Sequence, residues 1–287
     1  KMAEFKYIKE LLSTATGTQG TLLIVRKIHD TLIAEVKKKL IPRSEAAFVV
    51  GPSSIPGSSY DINLQTADTL QIRQVAEGAD ISVNQTDYTT INVLPIKYGV
   101  GIRITNELLE DAKWNLLEQN LDIAGRRFAE NENNLVLVQL DRAANTVTGG
   151  AAITIANITT GMLNLENNDF EATTLAVGPE VLQDLRNIDT FVEADKLGSR
   201  EMLESGFVGR LYGMNVVKFS ANAAPSTTYS KYAYVFDRSQ AYCIVEKRPI
   251  TVEKFTLPNN DMSAAVITQR LAVAALRTSA ISNITTT

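Results

Sequence analysis

A chain of 287 residues, 45% hydrophobic and 21% charged, with a mean hydropathy of -0.03 and a formal charge of -4, has an ordinary water-soluble composition. It is long enough for one large domain or two small ones. It contains no run of about 18 apolar residues for a membrane span, no apolar block after its first ten residues for a secretory signal, and one cysteine, so no internal disulfide framework is expected.

Residues 1–44 read as an arm. The stretch from Ser13 to Gly20 is polar, contains glycine and has no period. Leu22 to Leu40 follows with helical spacing of Leu23, Val25, Ile28, Leu32, Ile33 and Val36, and Pro42 ends it. Lys37, Lys38 and Lys39 suit a helix C-terminus and, with Arg26, Lys27 and Arg43, make this part basic. Such a run is a solvated face or a site touching an acidic neighbour. The apolar stripe must be buried, in its own domain or against a neighbouring subunit.

From Gly51 to Asn92 the pattern changes to strands and turns. Residues 51–59 are turn chemistry, Tyr60, Ile62 and Leu64 alternate with polar residues, and Ile81, Val83, Ile91 and Val93 alternate on the return. This predicts a long two-stranded excursion. An isolated hairpin is marginal in water, and its unpaired edges invite other chains, so its place is between subunits.

Ile96, Tyr98, Val100, Ile102 and Ile104 then alternate with Lys97, Gly99, Gly101 and Arg103, the period of a strand with one buried face. The strand feeds a long amphipathic helix predicted from Thr105 to about Ala143. Its apolar face is Leu109, Ala112, Leu117, Leu121, Ala124, Phe128, Leu135 and Val138, with Thr105 as N-cap and Glu107, Glu110 and Asp111 near the positive end of the dipole. At about 1.5 Å per residue it would span roughly 50 to 60 Å, a spine longer than an ordinary core can cover.

Asn145 to about Tyr234 reads as a second region. Ala151-Ile153-Ile155 and Thr173-Leu175-Val177 are expected strands. Pro179 opens a short helix from Val181 to Asn187, Phe207 to Val217 is a glycine-punctuated strand entry, and residues 220–228 are a loop. Strands are expected at Ala233–Phe236, Ala241–Val245, Thr251–Phe255 and Ala264–Leu276, forming the sheet on which the spine packs. Cys243, in an apolar run, reads as a buried, inert thiol.

Enzyme signatures fail on inventory. His29 is the single histidine, so a nucleophile–histidine site or a zinc site lacks partners. Neither phosphate-binding glycine motif occurs. Glu193 and Asp195 read as solvated, and Pro258-Asn259-Asn260-Asp261 as a turn before a calcium site. Asn84, Asn157 and Asn283 open glycosylation patterns of the kind that arise by chance. No catalytic residue, cofactor or metal is expected.

The order of parts is the strongest signal. The segment VAEGADISVNQTDYTTINVLPIKYGVGIRITNELLEDAKWNLLEQNLDIAGRRFAENENNLVL, from Val75 to Leu137, resembles the HK97-fold major capsid proteins of tailed double-stranded DNA viruses of bacteria and archaea. So do LAVGPEVLQDLRNI from Leu175, LYGMNVVKFSANAA from Leu211, and VFDRSQAYCIVEKRPITVE with the stretch near Arg270. The resemblance implies an α+β HK97 capsid fold, with residues 1–44 as N-terminal arm, 51–92 as extended loop, 97–144 and 233–287 as peripheral domain with the spine helix, and 145–232 as axial domain.

It further implies a non-enzymatic subunit of the virion that self-assembles in the host cytoplasm. Hexamers and pentamers would form an icosahedral shell around double-stranded DNA, with a portal, a scaffold or protease and a decoration protein as partners, and no membrane. Lys1 in first place suits removal of a scaffolding segment. The assembly interface is assigned to Lys37, Lys38, Lys39, Arg73, Glu77, Arg126, Arg127, Asn259 and Asn260. The family's cross-link uses a lysine of the extended loop. Gly51 to Pro95 contains none, so a non-covalent shell is expected. The alternatives are an encapsulin-type compartment and, more remotely, an α+β small-molecule enzyme.

Overall fold

The computed structural model describes residues 43–286 apart from 56, 66–71, 73, 76, 79, 81–86, 106, 108–115, 151, 188–209, 220–230 and 258–260. The predicted helix of the arm, Ile81 and Val83 on the return of the excursion, and the loop at 220–228 lie outside the described residues.

Three sheets organise the chain. The first has the order β1 (Phe48–Val50), β10 (Tyr242–Leu257), β11 (Met262–Ala275), β4 (Ile96–Thr105). Its strands are antiparallel except for β1, which runs parallel to β10 with Phe48 opposite Cys243. The second has the order β5 (Asn145–Gly149), β12 (Ile281–Thr286), β9 (Tyr232–Phe236), β6 (Thr174–Val177), β8 (Met214–Lys218), β7 (Arg210–Leu211). The third is the hairpin of β2 (Tyr60–Gln65) and β3 (Tyr88–Val93), in register from Tyr60 opposite Val93 to Gln65 opposite Tyr88. The two-residue periods at β2, β3 and β4 are therefore realised as read.

The spine helix α1 is described over Leu116–Leu140. Thr105 closes β4, and most of the predicted first turns lie outside the described residues. Leu121, Ala124 and Phe128 are buried as expected, but Val138 is 38% exposed, whereas Val136, Leu137 and Leu140 are buried. The cause is tertiary. Near its C-terminal end the helix passes from the face of the first sheet to meet both, with Tyr234, Phe236 and Ile281 of the second joining Tyr242, Ile244, Leu271 and Val273 of the first. That turns a different stripe inward.

Ile155 is not in a strand. It opens helix α2 (Ile155–Glu166), and the strand of this region is β5 just before it. The reason is local capping: the Thr154 hydroxyl accepts from the Asn157 backbone N–H, and the Asn157 side chain accepts from the Thr154 N–H, which satisfies two donors of the first turn. The helix α3 (Pro179–Arg186) starts with proline at its first turn as predicted. The two strands expected at 241–245 and 251–255 are a single strand, β10, whose ladder with β11 shifts register between Glu246 and Arg248 and again between Arg248 and Thr251. The irregularity absorbs Lys247, Pro249 and Ile250 without ending the strand.

The division of residues also differs from the sequence reading. β9 and β12 pair with β6 and β5, so 232–236 and 281–286 belong to the sheet of the 145–232 region and not with β10 and β11. β12 and β1 went unanticipated; each is short, and each is held by a strand distant in sequence.

Candidate assembly surfaces

The four-stranded sheet has two unlike faces. Tyr98, Val100 and Ile102 of β4, Ala265 and Ile267 of β11, and Ile250 and Val252 of β10 pack toward Leu121, Ala124 and Phe128 of α1. Alternation sends Lys97, Gly99, Gly101 and Arg103, with Ala264, Val266, Thr268 and Arg270 opposite them, to the other face. Part of that outer face is covered: Ile62 and Val93 of the hairpin, with Ile55 before it and Val50 of β1, pack with Cys243, Val245, Ala274 and Leu276. Three cations fix the hairpin base to backbone carbonyls. Lys247 donates to Gly57, Arg270 to Pro95 at 3.3 Å, and Arg277 to Gln65 at 3.2 Å.

Beyond the hairpin base the face is partly exposed, although Ala264 and Thr268 on it are buried. Lys97, Gly99, Gly101 and Arg103 are exposed, Arg248 and Arg270 half-buried, and Phe255 43% exposed. Glu253 answers Arg248 at 3.4 Å. The result is a face on which the exposed Gly99 and Gly101 are flanked by cations. The hairpin carries the opposite charge: between its paired strands stand Asp68, Glu77, Asp80 and Asp87 against Arg73, and Glu77, Asp80 and Asp87 are exposed. Tyr88 and Ile72 add exposed apolar surface there.

The root of the arm is anchored to both sheets. Arg43 Nε donates to Glu132 Oε1 at 2.6 Å and Nη2 to Oε2 at 3.0 Å, while Nη1 and Nη2 reach Glu246 at 3.2 and 3.1 Å. Burial would lower the pKa of this guanidinium, but the hydrogen bond and charge of Glu132, then those of Glu246, outweigh burial and raise it. Glu45 accepts from the Thr174 hydroxyl at 2.8 Å, and the Ala47 N–H donates to the Tyr242 carbonyl at 2.9 Å.

In the second sheet Lys231 holds Asp184 at 2.7 Å, and Asp141 accepts from Tyr234 and Asn283. Burial, then the charge of Asp141 and its hydrogen bond, push the Tyr234 phenol well up.

Of the residues assigned to assembly, Arg126 and Arg127 lie on the exposed side of α1, Arg127 pairing with Glu130 at 2.9 Å, and Glu77 is exposed in the excursion. Lys37, Lys38, Lys39, Arg73, Asn259 and Asn260 lie outside the described residues, as do Glu193, Asp195 and His29. The structure brings none of the described three together. Sequence reasoning missed the cations Lys97, Arg103, Arg248 and Arg270 and the partners of Arg43. Alternation in β4 already put Lys97 and Arg103 on one face and was the available signal. Asn283 is 5% exposed and bonded to Asp141, so its glycosylation pattern is closed to modification in the folded chain. Among the described residues no group of three or more His, Cys, Asp or Glu is placed to hold a metal ion, and no helix is long and apolar enough to cross a membrane.

The fold is that of an α+β chain of HK97 type, with a spine helix on one sheet, a second sheet and the β2–β3 hairpin. A family model described as phage capsid protein matches residues 85–283, more than half of the chain, and the protein belongs to that family. It is a major capsid protein, and its place is the capsid shell of the virion. No curated protein matches it in sequence.

Solved structures share the fold at low identity. The head structure of Helicobacter pylori bacteriophage KHP40 matches with a TM-score of 0.66 at 11% identity, covering 84% of this chain and 88% of that one. The mature capsid of bacteriophage PhiM1 matches with a TM-score of 0.64 at 14% identity, covering 86% and 87%. A virus-like particle from Pyrococcus furiosus matches with a TM-score of 0.57 at 13% identity, covering 91% and 99%.

Proposed function

We propose that this subunit forms hexamers and pentamers that close into an icosahedral, non-covalently held shell around double-stranded DNA, with the excursion of one copy laid across its neighbour. The observation that carries this reading is the charge match between the exposed, cation-bearing part of the four-stranded sheet and the acidic excursion. Opposite charges of this kind fix register between copies and repel wrong pairings. The sheet edges at β4 and β7 offer further backbone groups to neighbours. A net charge of -4 suits a wall that encloses DNA without adsorbing it.

On this reading the arm extends to Ser44, the extended loop covers 51–92, and the peripheral and axial units meet at the two sheets. A portal, a scaffold or protease and a decoration protein complete the particle, and the subunit has no catalytic role. Lys37, Lys38, Lys39, Arg73, Glu77, Arg126, Arg127, Asn259 and Asn260 contribute to contacts between copies. The first experiment is electron microscopy of native particles with analysis of their contents. Closed polyhedral shells holding DNA are the expected result. Shells with protein contents and no DNA would instead select the alternative, an encapsulin-type compartment. Replacement of Arg73 and Glu77 by alanine should reduce shell yield while leaving subunit folding intact; unchanged yield would remove the excursion from the interface.

A further inference from the structure

A small cavity lies beside the C-terminal half of α1, where the two sheets meet. Leu137 and Leu140 of the helix, with Phe219 and Phe236 of the second sheet's side, supply apolar wall, and Glu45 and Asn133 reach the same space. About 30 Å³ of it is open to the centre of a water-sized sphere. A water needs at least about 10–15 Å³ in that measure, whereas a cavity that takes up benzene is on the order of 150 Å³. The size admits water and excludes an organic ligand.

The polar chemistry of the lining is one-sided. Asn133 is 5% exposed, and its Oδ1 finds no hydrogen-bond partner among the described residues. Glu45 is 9% exposed; its Oε2 accepts from the Thr174 hydroxyl at 2.8 Å, and its Oε1 accepts from the Ser44 hydroxyl at the long distance of 3.4 Å. Each carboxylate oxygen has two lone pairs, so Glu45 keeps acceptor capacity to spare. An amide oxygen and a carboxylate cannot bond each other, and a buried acceptor left unmet is costly. What both require is one small molecule that donates twice.

We propose that this cavity is a binding site for one ordered water, which donates one proton to Asn133 Oδ1 and the other to the Glu45 carboxylate. A metal ion fits less well, because it would need about six oxygens where the walls are mostly apolar. The water makes a structural bridge. Through it Asn133 of α1 is linked to Glu45, and Glu45 is already held by Thr174 of β6, so the helix and the second sheet share a polar contact inside an apolar junction. Asn133 is then a water ligand and not a packing defect. The inference concerns the subunit alone and does not rest on the shell arrangement proposed above.

A microscopy map of native particles, fine enough to show ordered water, tests it directly. Density is expected in the cavity at about 2.8 Å from both Asn133 Oδ1 and a Glu45 oxygen. In solution, relaxation dispersion of the water oxygen counts long-lived internal waters of the full chain. Asn133→Leu, which removes the acceptor, should lower that count by one, whereas Asn134→Leu, at the neighbouring exposed position, should leave it unchanged. If Asn133→Leu does not fold, the map of the parent decides alone. A cavity without density, an Asn133 amide turned to donate straight to Glu45, an ion ringed by about six oxygens, or an unchanged count in a folded Asn133→Leu would each overturn the proposal.

Discussion

A Cβ added at Gly161 of α2 would stand 3.2 Å from Cδ1 of Ile284 on β12, and 3.4 Å from Cγ2 of Val235 on β9. The helix therefore lies on the second sheet as closely as backbone allows, and Ile158 and Leu165 on either side are fully buried. Gly161→Val should destabilise the subunit by about 1–3 kcal/mol through overpacking. Gly161→Ala should be close to neutral, since its gain of about 1 kcal/mol in helix propensity offsets a small displacement of Ile284. Denaturant midpoints of the isolated subunit check both, and a valine variant as stable as the parent would show that α2 lifts off without cost.

The reciprocal cap at the start of α2 gives a second test. Thr154→Ala should cost about 1 kcal/mol, and Asn157→Ala a similar amount. The double variant should lose less than their sum, because each single change already breaks the pair. Strict additivity in thermal unfolding would mean that the two caps act independently.

Cys243 predicts a pH dependence. Burial pushes its thiol up to about 11 from 9.0, with backbone hydrogen bonds opposing weakly. The folded value lies above the unfolded one, so this contribution to stability is complete below about pH 9 and is lost as pH rises through about 11. A thiol reagent at pH 8 should label the native protein at the rate of unfolding, not at the rate of a free thiol. Fast labelling of folded subunit would place the thiol in contact with solvent.

The exposed part of the sheet face predicts a separation of folding from assembly. Lys97→Glu with Arg103→Glu changes two exposed side chains and should move subunit stability by no more than about 0.5 kcal/mol. The same pair should sharply reduce shell formation, scored by sedimentation and microscopy, because the face then repels the acidic excursion. Normal shells from this variant would exclude charge pairing across that face.

The sequence by itself determined what depends on a few neighbouring residues. Alternation at 96–104 specified β4 and which of its residues face the helix, Pro179 specified the start of α3, and the apolar run around Cys243 specified its burial. The order of arm, hairpin, spine and terminal strands was enough to reach the HK97 fold, because that order survives where identity does not. The cap formed by Thr154 and Asn157 was also written locally, but the apolar alternation of Ile153 and Ile155 obscured it.

Tertiary structure decided what depends on partners far along the chain. Arg43 reads only as one of several cations until its carboxylates, 89 and 203 residues away, close around it. Whether β9 and β12 join one sheet or the other is a choice of hydrogen-bonding partner, and the strand pattern is the same in either place. The inward stripe of α1 likewise changes from Phe128 to Val136 because the helix passes from one sheet to the junction of two. Periodicity marks a face as buried; what buries it is settled by packing of the whole chain.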